Sequence, residues 1–163
     1  MNKLEISKQE VWNNFGKLHD GWISAIHTSF DNKYIFTCGR FGYVRQWSVD
    51  SDSLEHDYGH VHDAGIMSTV GTPDDQFLFT CDIKGELRQW SIPKKELVKD
   101  YGKIHSYPMQ MMHVSFDGRW LFTSDRMGYM KQWSVEDKCE VMNYGKIHEK
   151  AVFKIEVPNL PPL

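Results

Sequence analysis

The stretch YGHVHDAGIMSTVGTPDDQFLFTCDIKGELRQWSIPKKELVKDYGKIH, residues 58–105, spans one copy of a repeat whose period is 43 residues. A histidine and a tryptophan both keep this period, and each tryptophan stands within Gln-Trp-Ser. The residues are His19, His62, His105 and His148, and Trp47, Trp90 and Trp133. No insertion or deletion breaks the spacing. Each copy is therefore predicted to fold as one unit that buries an apolar face on its neighbour.

Each copy holds four short segments rich in β-branched and aromatic residues. In the first copy these are WISAIHT (22–28), YIFTC (34–38), YVRQWSV (43–49) and LEHDY (54–58). The sequences between them, SFDNK, GRFG and DSDS, are rich in residues that favour turns. This alternation predicts four strands per copy and an all-β chain.

The two ends of the chain continue the pattern only in part. Residues 1–15 align with the segment that follows each tryptophan, which predicts one lone strand of the fourth type. At the other end, AVFKIEV (151–157) resembles a first strand, and the prolines of PNLPPL end it. We therefore predict a single repeat domain over 1–163. It divides into a strand of a preceding unit (1–15), repeats at 16–58, 59–101 and 102–144, and a fourth start with a Pro-rich tail (145–163).

Composition narrows the class of protein. The 163 residues are 40% apolar and 25% charged, which is typical of a globular domain. The net charge is −3 and the basic residues are scattered, which argues against nucleic acid or a membrane surface as partner. Of three cysteines, Cys38 and Cys81 fall at matching places in neighbouring repeats, too far apart to bridge. Buried thiols in a reducing compartment, and hence a cytoplasmic location, are expected.

The chain resembles the WD40-repeat family of β-propellers. In the first copy the resemblance rests on His19, Ile23, Ile26, Asp31, Ile35, Thr37 and Trp47, and the second and third copies match in phase. It implies propeller blades: three complete four-stranded blades plus a lone N-terminal and a lone C-terminal strand, in an incomplete ring. The sequence departs from the family in three ways. Glycine stands three residues before the histidine, Trp-Ser replaces Trp-Asp, and Phe41, Lys84 and Met127 occupy the place of the turn aspartate.

The resemblance also implies a His–Asp–Ser/Thr–Trp hydrogen-bond network inside each blade. Because the turn aspartate is missing, we expect a His–Thr–Trp remnant, with Asp82 or Asp125, two places earlier, as alternative candidates for the fourth member. The structural repeat network predicted from sequence comprises His19, His62, His105, His148, Thr37, Thr80, Thr123, Trp47, Trp90, Trp133, Asp82 and Asp125.

A non-catalytic scaffold for protein–protein interaction is the function that the resemblance favours. Arg40 and Arg126 fall in the tight turn between second and third strands, at the propeller rim. With Lys84, Trp22 and Tyr107 they form the candidate partner-binding rim, because Arg, Trp and Tyr are frequent interface anchors. No nucleophile motif or phosphate-binding glycine loop is present, so no catalytic residue, cofactor or small-molecule substrate is predicted.

The less favoured alternatives at the level of sequence are a propeller enzyme, which the fold does not exclude, and a metal-binding protein. His56, His60 and His62 cluster beside Asp57 and Asp63, but no other copy repeats the cluster, so metal binding is not predicted.

Three blades are fewer than a closed propeller needs. The chain is therefore expected to self-associate, to complete the ring of another repeat protein, or to be a fragment of a longer propeller without independent activity.

Overall fold

The structure is a computed structural model that describes residues 16–149. Every regular element in this part of the chain is a β-strand. These residues therefore contain no helix that could span a membrane. The strands are β1 (Ile23–Thr28), β2 (Tyr34–Gly39), β3 (Tyr43–Ser48), β4 (Ser53–His60), β5 (Ile66–Gly71), β6 (Phe77–Asp82), β7 (Glu86–Ser91), β8 (Glu96–Lys103), β9 (Met109–Val114), β10 (Trp120–Asp125), β11 (Tyr129–Ser134) and β12 (Cys139–Lys146).

These strands form three antiparallel sheets of four, each following chain order. We call them blade 1 (β1–β4), blade 2 (β5–β8) and blade 3 (β9–β12). The first strand of blade 2 contacts the first strands of both other blades, and the three blades do not close a ring. The predicted all-β fold of three complete four-stranded blades is therefore confirmed. The lone strands predicted within 1–15 and 151–157 lie outside the described residues.

Two interblade cores hold the sheets together. Both faces of a central strand are buried, which explains why the second strands are apolar nearly throughout. In the first core Phe36, Cys38 and Val44 of blade 1 pack on Ile66, Leu78 and Trp90 of blade 2. In the second core Phe79, Cys81 and Leu87 of blade 2 pack on Met109, Leu121 and Trp133 of blade 3. Side chains one repeat apart thus fill equivalent places, as the constant period predicts.

An aromatic pair crosses each blade boundary. Tyr58 meets the Trp90 ring edge-on at 5.7 Å between centroids, and Tyr101 meets Trp133 at 5.6 Å. Edge-to-face contacts of this kind add to the stability that simple burial provides. The equivalent Tyr144 of blade 3 is 43% exposed.

A backbone contact fixes the end of each blade that carries the histidine. The turns between second and third strands (39–42, 82–85 and 125–128) are called here the 2–3 turns. The segments that precede the first strands (18–22, 61–65 and 104–108) are called the histidine loops. The carbonyls of Gly42 and Gly85 accept hydrogen bonds of 2.8 Å from the amides of Val61 and Ile104, which lie in the histidine loop of the next blade. The Gly128 carbonyl accepts one of 2.9 Å from the amide of Ile147, at the equivalent position. These glycines have positive φ values, which side chains disfavour.

Gly85 and Gly102 offer a matched test of this contact. Both have positive φ, but a Cβ on Gly85 would lie 2.5 Å from the His105 carbonyl oxygen, whereas one on Gly102 would meet nothing within 4 Å. We expect Gly102→Ala to lower the free energy of unfolding by about 1 kcal/mol through backbone strain alone. Gly85→Ala, which adds a backbone clash, is expected to cost about 3 kcal/mol or more.

Urea denaturation followed by tryptophan fluorescence measures both variants. Equal losses for the two would contradict the proposed packing of the histidine loop on the 2–3 turn.

Candidate interaction rim and the hydrogen-bond network beneath it

One threonine hydroxyl lies between an indole and an imidazole in each blade. In blade 2 the Trp90 Nε1–H donates to Thr80 Oγ1 at 3.0 Å, and Thr80 Oγ1 lies 2.9 Å from His62 Nε2. Blade 1 repeats this geometry with Trp47, Thr37 and His19 at 2.8 Å for both distances. Blade 3 repeats it with Trp133, Thr123 and His105 at 3.0 and 2.9 Å. The three threonines are fully buried.

An aspartate faces the other nitrogen of the ring in two of the three blades. Asp125 Oδ2 lies 3.3 Å from His105 Nδ1, and Asp82 Oδ2 lies 3.6 Å from His62 Nδ1, with all four side chains essentially inaccessible to water. The second oxygen of each carboxylate accepts two backbone N–H bonds across its own 2–3 turn, from Lys84 and Glu86 for Asp82. Asp125 therefore ties its turn to the imidazole of the histidine loop, whereas Asp82 faces its imidazole at a distance just beyond a hydrogen bond.

The carboxylates determine how the protons are arranged. A negative oxygen opposite Nδ1 favours the proton on that atom, which leaves Nε2 to accept from the threonine O–H. The threonine oxygen then keeps its lone pairs for the indole N–H, so one hydroxyl satisfies two buried partners. Burial raises the pKa of Asp82, but the His62 ring and the turn amides outweigh it and hold that pKa below its ordinary value.

Blade 1 lacks the carboxylate because Gly39 occupies its position. A Cβ built there would lie only 3.0 Å from His19 Nδ1, so the ring already lies close to the space that an aspartate uses elsewhere. Burial, and next the nearby Arg45 charge, lower the pKa of His19. The fourth histidine of the series, His148, is exposed, and the start of the fourth repeat predicted after it lies outside the described residues.

The backbone also joins each 2–3 turn to the histidine loop of its own blade. The Arg40 amide donates to the Trp22 carbonyl at 2.9 Å. Ile83 donates to Gly65, and Arg126 to Pro108, each at 3.0 Å. The 2–3 turns and histidine loops thus form one surface, which we call the rim.

The rim exposes large apolar and aromatic side chains. They are Trp22 (73%), Phe41 (61%), Tyr43 (39%), Ile83 (38%), Tyr107 (42%), Met127 (41%) and Tyr129 (36%). The Arg40 guanidinium carbon lies 4.8 Å from the Trp22 ring centroid, and Tyr107 stacks on Tyr129 at 5.9 Å. Arg126 and Lys84 are exposed at the other two 2–3 turns. All five residues predicted from sequence for the partner-binding rim therefore lie at this end of the blades.

A cavity of about 400 Å³ opens on the rim between the first strands of blades 1 and 2. Trp22, Ile23 and Arg40 line it from blade 1, and Ile66 and Ile83 line it from blade 2. Sequence reasoning selected Trp22 and Arg40 but missed the other three. The signal for Ile83 was present, because an apolar residue at the tip of a four-residue turn has little reason to be there unless something contacts it.

The histidines of the β4 cluster do not share one site. His56 packs edge-on against Tyr58 at 4.6 Å and His60 against Tyr43 at 5.2 Å, whereas His62 bonds to Thr80. Among residues 16–149, ligand atoms of His62, Asp82 and Glu86 lie within 4.8 Å of one another. Blade 3 keeps the same His–Asp pair with Tyr129 in place of the glutamate, so the pair is explained by the repeated network without a metal.

Thr80→Val tests the network with little change of shape. The substitution leaves the Trp90 N–H and His62 Nε2 buried without their shared partner, and we expect a loss of about 2–4 kcal/mol in unfolding free energy. Thr69→Val is the matched control, because the half-buried Thr69 hydroxyl donates to the Phe79 carbonyl at 3.1 Å and otherwise contacts the Cys38 thiol. It should cost about 1 kcal/mol or less. Equal and small losses in chemical denaturation would contradict the central role of Thr80.

Comparison with known proteins bears on the fold. No protein-family model matches the sequence, and no curated protein matches it. Two solved structures, described as the crystal structure of RRP9 WD40 repeats and the structure of U3-55K, are similar, each with a TM-score of 0.77 and 16% sequence identity. Each alignment covers 83% of this chain and 42% of the other, so this chain spans less than half of their length. The three blades therefore have the fold of WD40-repeat propeller blades.

Proposed function

We propose that this chain is a non-catalytic interaction module that binds other proteins through its rim. The observation that carries the proposal is the set of exposed aromatic and apolar side chains held at one end of all three blades. Trp22, with 73% of its surface exposed, contributes most. Contiguous exposed apolar surface is rare without a partner, and tryptophan and arginine are frequent anchors of interfaces.

The rigidity of the rim supports the same proposal. Each 2–3 turn is bonded through its backbone to a histidine loop, and blades 2 and 3 add a buried aspartate beneath. A surface that is already ordered loses little conformational freedom when a partner binds.

We further propose an intracellular, reducing location. It is supported by the free thiols of Cys38 and Cys81, both fully buried, with burial raising the pKa of Cys38 to about 12.

Affinity capture with matched variants tests this function. The immobilised chain is incubated with cell extract, and bound proteins are identified by mass spectrometry. We expect Trp22→Ala to remove most specifically captured proteins, because it deletes the largest exposed ring of the rim. Phe116→Ala is the control, since Phe116 is 67% exposed in the turn between β9 and β10 at the opposite end. Identical protein sets for both variants and the parent chain would contradict the proposal.

A second candidate function is association with a further blade through the open side of blade 3, the side that no other sheet within residues 16–149 covers. Phe36 and Phe79 are fully buried in the interblade cores, but Phe122, one repeat later, is only partly buried. Tyr144 keeps the bond to Gln132 Oε1 (2.7 Å) that its counterparts make, yet 43% of it is exposed. A neighbouring sheet with an indole on its third strand fits this side as Trp133 fits Tyr101.

Analytical ultracentrifugation of the purified chain measures this association. The parent chain is expected to sediment as more than one chain at micromolar concentration, since the open side of blade 3 is apolar. Tyr144→Glu places a charge in that contact and should shift the population toward single chains by about tenfold in the dissociation constant. Phe116→Glu, at an exposed turn, should not. A parent chain that sediments as a single species of one chain's mass would contradict the proposal.

A further inference from the structure

The cavity between blades 1 and 2 gives the rim a chemical preference. Its lining is mostly apolar: Ile23, Ile66, Met67 and Ile83 contribute flexible apolar side chains, and Trp22 contributes its indole. A volume of about 400 Å³ lies in the lower part of the range of ligand pockets, which suits one large side chain rather than a whole cofactor. The contents of such a pocket are therefore expected to be apolar.

This cavity depends on a difference between the repeats. The position before the first strand is Trp22 in blade 1, Gly65 in blade 2 and Pro108 in blade 3. The indole builds a wall that the other blades lack. Gly65 permits the blades to approach, since a Cβ there would lie 2.8 Å from the Arg40 carbonyl oxygen. The pocket is thus specific to the junction of blades 1 and 2.

One cation, Arg40, lines the pocket, and a second, Lys84, follows the lining residue Ile83 in the chain. Every 2–3 turn carries one exposed cation beside one exposed apolar residue: Arg40 with Phe41, Lys84 with Ile83, and Arg126 with Met127. Among the described residues, no carboxylate lies within ion-pair distance of these three cations.

Deeper cations of the same blades behave differently. Arg45 is bonded to Asp57 and Arg88 to Asp100, both at 2.9 Å, while Lys131 is bonded to Glu140 at 2.7 Å. Of the acids at or next to the rim, Asp63 in the histidine loop of blade 2 is exposed and forms no ion pair within residues 16–149, whereas three others are engaged. Asp20 pairs with Lys17 at 3.2 Å, and Asp82 and Asp125 are buried beneath the turns. Among the described residues, the rim therefore presents three unpaired cations, Arg40, Lys84 and Arg126, against one unpaired carboxylate, that of Asp63.

We propose that the partner of this rim is a short acidic peptide segment that inserts one leucine-sized or aromatic side chain between Trp22 and Ile83. Carboxylates on either side of the anchor pair with Arg40 and Lys84. This inference rests on the proposed function and specifies the chemistry of the partner. The anchor supplies buried apolar area, and the charges supply orientation and a fast encounter.

A fluorescein-labelled peptide with one leucine among glutamates is the probe, and fluorescence anisotropy measures its binding to the full chain. Two comparison peptides separate the contributions. One replaces the leucine by alanine at unchanged charge, and the other replaces the glutamates by lysines and keeps the leucine. We expect the alanine peptide to bind about tenfold more weakly and the lysine peptide not to bind detectably.

Arg40→Glu should weaken binding of the acidic peptide by at least about tenfold. Ile83→Asp should weaken it to the same extent by placing a charge in the lining of the pocket. The matched control is Arg119→Glu, because the Arg119 guanidinium also lies over an indole, that of Trp120 at 5.6 Å, but at the opposite end of the blades. It should leave binding unchanged. Thermal unfolding of each variant verifies that it is folded. If one of the two rim variants fails to fold, the other still tests the proposal.

The possible outcomes distinguish failure of the acidic-peptide proposal from failure of the proposed protein-binding function of the rim. If the leucine and alanine peptides bind equally, or single-stranded DNA competes as well as either, the rim attracts polyanions without using the pocket, and the inference is overturned. If no acidic peptide binds while Trp22→Ala still removes captured proteins, the interaction function stands and the peptide chemistry is wrong. If neither rim variant changes capture or peptide binding, both are wrong.

Discussion

The buried threonine hydroxyl of each blade, placed between an indole and an imidazole, is the interaction on which the rest of the structure depends. Thr80 belongs to the second strand, Trp90 to the third and His62 to the loop before the first, so a single oxygen fixes three parts of the chain that are far apart in sequence. In a dry interior each unpaired polar partner would cost about 1–3 kcal/mol. The strands and the histidine loop are thereby held in one arrangement, and the rim inherits it.

Much of the fold was predictable because the repeat is exact in length. The period of 43 residues placed His62, Thr80 and Trp90 at equivalent positions in every copy, and four apolar segments per copy predicted four strands. Side chains at fixed intervals on packed sheets must meet the same neighbours in each copy, so regular spacing determines regular contacts. What spacing does not determine is whether a carboxylate two residues from its usual place still reaches the ring. Asp125 comes within 3.3 Å and Asp82 within 3.6 Å, a distinction that only backbone geometry decides.

The cavity was harder to predict for a related reason. Its residues come from two blades and four separate segments, and although Ile23 and Ile66 are equivalent, Trp22, Gly65 and Pro108 share one position but differ in size and shape. Repetition identifies what copies have in common, which is the packing. A binding surface arises where the copies differ, and a search for periodic residues passes over it. Trp22 and Arg40 were selected because of residue type, whereas Ile23, Ile66 and Ile83 resembled ordinary strand and turn residues.

The regular packing of the blades and the variable sequence of the rim are connected. A rim can vary in sequence only if its backbone is held by something that does not vary. The bonds from Gly42 and Gly85 to the histidine loops, and from Gly128 to Ile147, involve main-chain atoms alone. Exposed side chains in those turns can therefore change without loss of the fold. Phe41, Lys84 and Met127 occupy one such equivalent position with three unrelated side chains. Because Asp82 and Asp125 cap their turns from beneath, the apolar and cationic tips above them are free to contact a partner.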